Sequence, residues 1–431
     1  MSVAGPSSGL PPVSTGRALS LPPPRLAVPV VLIVLGLAAA VKGLLVAPGR
    51  TWPNLLVDGF YLLTISVSGM FFLTATRLTS ARWSAALRRI PEASALVAPV
   101  AALLLLPLVL FAGARQTLFP WSRPGAFAHA PDIAGKVTYL NPPFVYARVV
   151  IVLGGFALFA WLFRRASLAQ DRTPGGALRF HQRLNVYAGM FLIFFALGIT
   201  VSSFDWIASL DPSWFSTMFA VYVFAGTFVS GNALVALTTA RLKQGGLLHE
   251  SVGVGEAQLH DLGKLMFAFS IFWAYIWVSQ YLLIWYGNIP EEVTHFVSRT
   301  NGGWAVLFGI NVIINWVIPF LALMSVGAKK DPRRLIIVAG VLLVGHWLDL
   351  YLLVVPAISP EPHLGLYELL IAGGYGGAFY LLFRRNLSRA PLVPLNDPVL
   401  GYDLAPMSAH GHAHAHGHAH AHAAIPDRSH P

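Results

Sequence analysis

The sequence predicts an all-α polytopic membrane protein with about ten transmembrane helices. Three observations carry this. Of 431 residues, 56% are hydrophobic and 11% charged, where a soluble domain carries about 25% charged residues. Apolar runs of about 20 residues recur along the chain, each long enough to cross a hydrocarbon core of about 30 Å. The basic residues between the runs collect in alternate loops, as orientation in a bilayer demands.

The runs fall at residues 26–46, 54–76, 93–113, 143–163, 184–204, 214–239, 262–286, 303–327, 335–355 and 364–383. The first has a leader of about 25 residues and an apolar core longer than the usual 7–15 of a signal peptide, so it reads as a retained anchor. Ala38–Ala40 nonetheless resembles a cleavage site. Ten spans put both termini on one face. The opposite face then holds Arg50, Arg115, Arg123, Lys136, Arg148 and Arg299, while most other basic residues flank the spans on the terminal face. That asymmetry predicts cytoplasmic termini, and it makes the net charge of +11 a matter of topology rather than of nucleic-acid binding.

Outside the membrane domain (25–388), residues 1–24 are rich in Pro, Ser and Gly and read as a mobile tail. Residues 389–431 form a low-complexity tail with histidine at every second position from His410 to His422. His410, His412, His414, His416, His418, His420 and His422 are candidates for weak binding of Zn²⁺, Cu²⁺ or Ni²⁺, against the alternative of a tail with no defined metal. The loop at 114–142, with Trp121 and several prolines, reads as a docking surface or a lid.

Ionisable residues inside spans are costly and mark function by default. On the side away from the termini these are Asp58, Asp205, His346, Asp349 and Glu368. In "VLLVGHWLDLYLLVV" (341–355), His346 and Asp349 stand three residues apart, on one helix face. On the terminal side, "HDLGK" supplies His260, Asp261 and Lys264, of which His260 and Lys264 share a helical stripe with Tyr275 and Ser279, and "FHQRLN" supplies His181. Asn311 and Asn315 in the eighth span fit interhelical hydrogen bonding. Asp211, followed by Pro212, reads as a helix N-cap with proline at the first helical position.

The chain has no cysteine. That excludes disulfides, thiolate nucleophiles, Cys-ligated iron–sulfur clusters and CxxCH haem attachment. Two stacked b haems need facing histidine pairs inside the bundle. His346 is the one deep histidine; His181 and His260 lie at the terminal edge, and His129, His295 and His363 lie in loops. The chain is therefore expected to bind no redox cofactor, so any electron transfer it serves runs through partners.

Two segments, "SFDWIASLDPSWFSTMFAVYVFAG" (203–226) and "HDLGKLMFAFSIFWAYIWVSQYLLIWYGNIPEE" (260–292), resemble the NrfD/polysulfide-reductase family, specifically a membrane subunit of bacterial alternative complex III. "GHWLDLYLLVVP" fits the matching span, and the resemblance covers about residues 25–390, leaving out the tails. It implies two four-helix bundles, spans two to five and six to nine, flanked by the first and last spans. It implies a place in a quinol:cytochrome c oxidoreductase of the bacterial cytoplasmic membrane. The implied partners are a periplasmic iron–sulfur subunit, multihaem and monohaem cytochromes c and a paralogous membrane subunit, with a terminal oxidase as a further candidate. Haem c and iron–sulfur clusters would sit in those partners, and menaquinol or another quinol would be the ligand. Asp58, Asp205, His346, Asp349 and Glu368 would then line an outer half-channel or a quinone cavity. His181, His260, Asp261 and Lys264 would line an inner half-channel, the two meeting near Tyr275. A secondary transporter and a purely structural anchor for redox subunits stand as alternatives. Transporters usually interrupt helices with paired Gly/Pro at the substrate site, and spans seven and nine have no such break in mid-helix.

Overall fold

The computed structural model describes residue 21 and residues 26–400, apart from 130, 174, 175, 249, 251 and 252. Among these residues there are helices and no strands. Ten helices are long and apolar enough to span a membrane: α1 Ala27–Val46, α2 Pro48–Leu78, α3 Arg89–Leu110, α4 Pro142–Arg172, α5 Ala177–Leu210, α6 Phe219–Gln244, α7 Glu256–Gly287, α8 Trp304–Ala322, α9 Pro332–Ala357 and α10 Leu366–Ser388. Several exceed the apolar runs that predict them. The extra turns of α4 (164–172), α5 (177–183) and α7 (256–261) are polar and lie on the terminal face.

Helices α2–α5 pack as one group and α6–α9 as another, joined mainly where α2 meets α6 and α9. Helix α1 lies along α10. The two least exposed spans, α2 and α6, therefore form the centre of the molecule. Polar and small residues mark them: Thr64, Ser66, Ser68 and Thr74 on α2, and Gly226, Thr227, Ser230 and Asn232 on α6, are all buried. Helices facing only lipid have no need of such residues, whereas helices packed on all sides by protein use them for close approach and hydrogen bonding.

Local chemistry sets several boundaries. Asp331 caps α9 by accepting the Arg333 N–H at 2.9 Å, with Pro332 at the first helical position. The similar Asp211–Pro212 pair does not cap α6. A turn follows it, and α6 begins at Phe219. Pro319 has no N–H for the Asn315 carbonyl, and α8 widens into a π-turn over Ile313–Val317 immediately before it.

The α1–α10 contact depends on missing side chains. A Cβ on Gly36 would lie 2.7 Å from the Gly374 Cα and from the Leu370 carbonyl oxygen. At Gly373 a Cβ would meet Leu32 at an ordinary 3.4 Å. Gly36→Ala should therefore lower the thermal unfolding midpoint of the purified protein, at a cost of about 1–3 kcal/mol, while Gly373→Ala should leave it nearly unchanged. Equal midpoints for the two variants would contradict this packing.

Candidate functional site

Asp349 is 2% exposed and lies about 12 Å along α9 from that helix's far end. Three neighbouring helices each supply it a donor. Tyr222 of α6 donates its hydroxyl to Oδ1. Asn311 of α8 donates to Oδ1 at 2.8 Å, and Trp273 of α7 donates to Oδ2 at 3.0 Å. No cation forms an ion pair with it among the described residues. Asn315 steadies this arrangement by donating to Asn311 Oδ1 at 2.7 Å and to the Gly345 carbonyl at 3.0 Å. The π-turn of α8 holds Asn315 itself.

One turn earlier, His346 faces α2. Thr64 Oγ1 donates to the Tyr61 carbonyl at 2.9 Å and lies 3.2 Å from His346 Nε2. With the threonine proton on that carbonyl, the tautomer that satisfies both groups has the imidazole hydrogen on Nε2 and the lone pair on Nδ1. That Nδ1 is buried without a partner. It faces Gly226 of α6, where a Cβ would stand 2.8 Å from Nδ1 and 3.4 Å from Asp349 Oδ2. Glycine keeps clear the space that His346 and Asp349 both border.

Trp347, the next residue of α9, donates to Asp58 Oδ1 of α2 at 2.7 Å. Asp58 is 2% exposed and also has no ion-pair partner among the described residues. Helix α9 therefore joins two cation-free carboxyl groups, one in each half of the molecule, with the His346 imidazole between them.

Cavities approach this chain from both faces. On the face away from the termini, a cavity of about 670 Å³ is lined by Asp211, Ser298 and Arg299. Arg299 also lines a small inner cavity of about 20 Å³ with Tyr222, Asn311 and Asp349, room for about one water molecule. Arg299 is held by the carbonyls of Leu352 and Leu353, each at 2.9 Å, near the C-terminal end of α9. Burial lowers its pKa to about 9, against the pull of Asp211 and Tyr222, so it is charged at neutral pH. On the other side, Asp58, Tyr61 and Trp347 line a groove of about 500 Å³ that runs between α2, α6, α9 and α10 to Thr238, Arg241 and Arg384 near the terminal face.

The remaining expected residues sit elsewhere. Asp205 is clamped by Arg148, with Nε and Nη2 at 2.8 and 2.9 Å. Glu368 is clamped by Arg50 at 2.5 and 2.8 Å, and it also accepts the Gly365 N–H at the start of α10. These two carboxylates are neutralised in place, unlike Asp58 and Asp349. His260, Asp261 and Lys264 lie along the outer side of α7, where Lys264 pairs with Asp261 at 2.6 Å and is 54% exposed. Tyr275 is 64% exposed, so this set and the outer set do not converge on it. His181 lines a separate cavity on α5. The histidines at 410–422 lie outside the described residues. Among the described residues, no group of three His, Cys, Asp or Glu side chains could hold a metal.

Four participants escaped the sequence reading. Tyr222 and Trp273 look like ordinary aromatic core residues until their polar ends are seen on Asp349. His295 and Arg299 read as loop residues but are 6% and 4% exposed, on the short helix Pro290–Thr300. His295 stacks on Trp214 with ring centroids 4.0 Å apart.

The fold and site define an all-α multi-pass membrane protein with a buried, cation-free acidic centre. Comparison with protein-family models and with curated proteins finds no match.

Gly226→Ala should displace the His346 ring and lower stability, and Tyr222→Phe should cost about 1–3 kcal/mol by removing a donor from a buried carboxylate. Thermal unfolding checks both; midpoints equal to wild type would show that the cage tolerates either loss. Burial and the nearby Arg299 hold the His295 pKa well below its ordinary 6.5. The unfolded chain therefore takes up a proton below pH 6.5 that the folded chain refuses, and stability must fall as pH drops through that value. His295→Gln should flatten this slope in a pH series of unfolding midpoints.

Proposed function

We propose that this chain is a membrane subunit of a quinol:cytochrome c oxidoreductase, of the ActF type in alternative complex III, and that it conducts protons across the bacterial cytoplasmic membrane. The observation that carries this reading is the polar chain through the core: Asp349 with its three donors, His346 with a free Nδ1, and Asp58 beside the groove. A carboxyl group without a counter-cation can take and release a proton without breaking an ion pair. A neighbouring imidazole offers the second station. The openings near Arg299 and near Arg241 lie towards opposite faces, which a transmembrane path requires.

In this reading the termini are cytoplasmic, and Arg299 stands at the periplasmic entrance as a fixed positive charge. The path leaves through the α2–α6–α9–α10 groove rather than along α7. Redox chemistry belongs to partner subunits: a periplasmic iron–sulfur protein, multihaem and monohaem cytochromes c and a paralogous membrane subunit. The family resemblance of 203–226 and 260–292 supports that assembly.

A second reading concerns the groove itself. Its volume of about 500 Å³ falls within the range of small-molecule sites. Its walls are mostly apolar, with Asp58, Tyr61 and Trp347 at the deep end. A menaquinol or other quinol fits that chemistry, with its ring near Asp58 and its tail along the lipid-facing side.

Co-purification of haem-bearing subunits with the tagged chain tests the assembly. In the assembled complex, Asp349→Asn and His346→Ala should each reduce charge translocation at least tenfold, about 1.4 kcal/mol of barrier, with quinol oxidation lowered less. Asp58→Asn should do the same if the groove carries protons, and should raise the KM for quinol if it carries the quinol ring. Unchanged translocation in both the Asp349 and His346 variants would exclude the proton path.

A further inference from the structure

Helix α10 has two faces that use glycine differently. Gly373 and Gly377 turn towards α1, where a Cβ on Gly377 would lie 2.7 Å from the Pro29 carbonyl oxygen. Ala372, Tyr375, Gly376, Phe379 and Phe383 turn instead towards the groove between α2, α6, α9 and α10, at the spacing of one helical stripe. A Cβ on Gly376 would meet nothing within 4 Å. No close helix contact calls for glycine there, and glycine weakens a helix interior relative to alanine. Its missing side chain leaves the groove open beside Tyr375.

Two polar groups border this opening without a partner. Asp58 is 2% exposed and accepts the Trp347 N–H on Oδ1, while its second oxygen, Oδ2, accepts no hydrogen bond among the described residues. The Tyr375 hydroxyl makes no hydrogen bond among them either. A Cβ on Gly59 would lie 4.0 Å from Tyr375 Cε1, so the tyrosine ring stands beside the turn of α2 that carries Asp58. Tyr61, the other phenol at this end, already donates to the Leu343 carbonyl at 2.8 Å. On α10 the first cation along the groove is Arg384, nine residues beyond Tyr375 and about 14 Å along the axis.

This arrangement selects the chemistry of a ligand. A carboxylate or phosphate would meet no counter-charge at the deep end, where taking a charge out of water is costly. A free carboxyl oxygen calls for a donor and a free phenol for an acceptor, and one hydroxyl group supplies both. A quinone carbonyl only accepts, so it brings no hydrogen to Oδ2. A hydroquinone hydroxyl brings that hydrogen and still accepts from Tyr375. Its ring suits the aromatic and aliphatic walls.

We propose that the deep end of the groove selects the reduced, hydroquinone head group, whose hydroxyl donates to Asp58 Oδ2 and accepts from Tyr375 Oη, with Gly376 leaving room for the ring. This rests on the quinol reading of the groove and adds to it the anchoring residues and the redox form. The test is titration calorimetry under nitrogen on the full chain purified in detergent, with menadiol and with its oxidised form, menadione. Menadiol should bind wild type about tenfold more tightly than menadione, the ratio expected for one hydrogen bond to a buried carboxyl group. Tyr375→Phe loses no hydrogen bond present in the structure, so it should fold, and it should weaken menadiol about tenfold. Gly376→Leu should abolish detectable binding by filling the groove without striking the protein. Gly189→Leu on α5, where a Cβ also meets nothing within 4 Å, is the control and should bind as wild type does. If menadiol binds wild type and both groove variants alike, or if menadione binds as tightly as menadiol, the proposal is overturned while quinol binding by the chain stands. If neither compound binds wild type, the quinol reading of the groove falls with it.

Discussion

A carboxyl group buried in a membrane protein without a cation must find its hydrogen bonds inside the protein, and Asp349 finds three. Those donors fix much of the second bundle. Tyr222, Trp273 and Asn311 come from three different helices, so α6, α7 and α8 must converge on α9 at one depth. Asn311 is held by Asn315, and Asn315 by the π-turn that precedes Pro319. The geometry of the cage is set by a local helix irregularity rather than by a loop. Losing one donor would leave a buried carboxyl oxygen short of a hydrogen bond in a low-dielectric site, where that is costly.

The contrast among the carboxylates follows from the same constraint. Asp205 and Glu368 are bound to arginines with two contacts each, and Glu368 also serves a helix start. Their charge is compensated, and moving a proton onto either would break an ion pair. Asp58 and Asp349 face indole, phenol and amide donors only. Helix α9 reaches both, with Trp347 pointing to one half of the molecule and Asp349 to the other. His346 stands between them against the side-chain-free surface of Gly226. Ion pairs anchor the periphery, and neutral donors surround the centre.

Much of this was legible in the sequence. Long apolar runs gave the ten helices, because a lipid-facing helix cannot hide its composition. His346, Asp349, Asp58, Asp205 and Glu368 stood out because ionisable groups are rare in such runs. Their division into paired and unpaired acids was not legible, since Arg50 lies 318 positions from Glu368 and nothing local announces the contact. Tyr222 and Trp273 were hidden for a different reason: an aromatic ring in a span suits core packing equally well. The α7 stripe of His260, Lys264 and Tyr275 is a different case, in which spacing alone does not say which side of the helix is buried. Its spacing does place these residues on one face, and that face is the outer one.

The central claim is that Asp349 changes protonation state during turnover. Infrared difference spectroscopy of the assembled complex, recorded as quinol is added, measures this through the carboxylic acid carbonyl band. The account predicts a protonation band that shifts in deuterated water and disappears in Asp349→Asn. A wild-type spectrum with no carboxylic acid change, or one that the Asn variant reproduces, would contradict it.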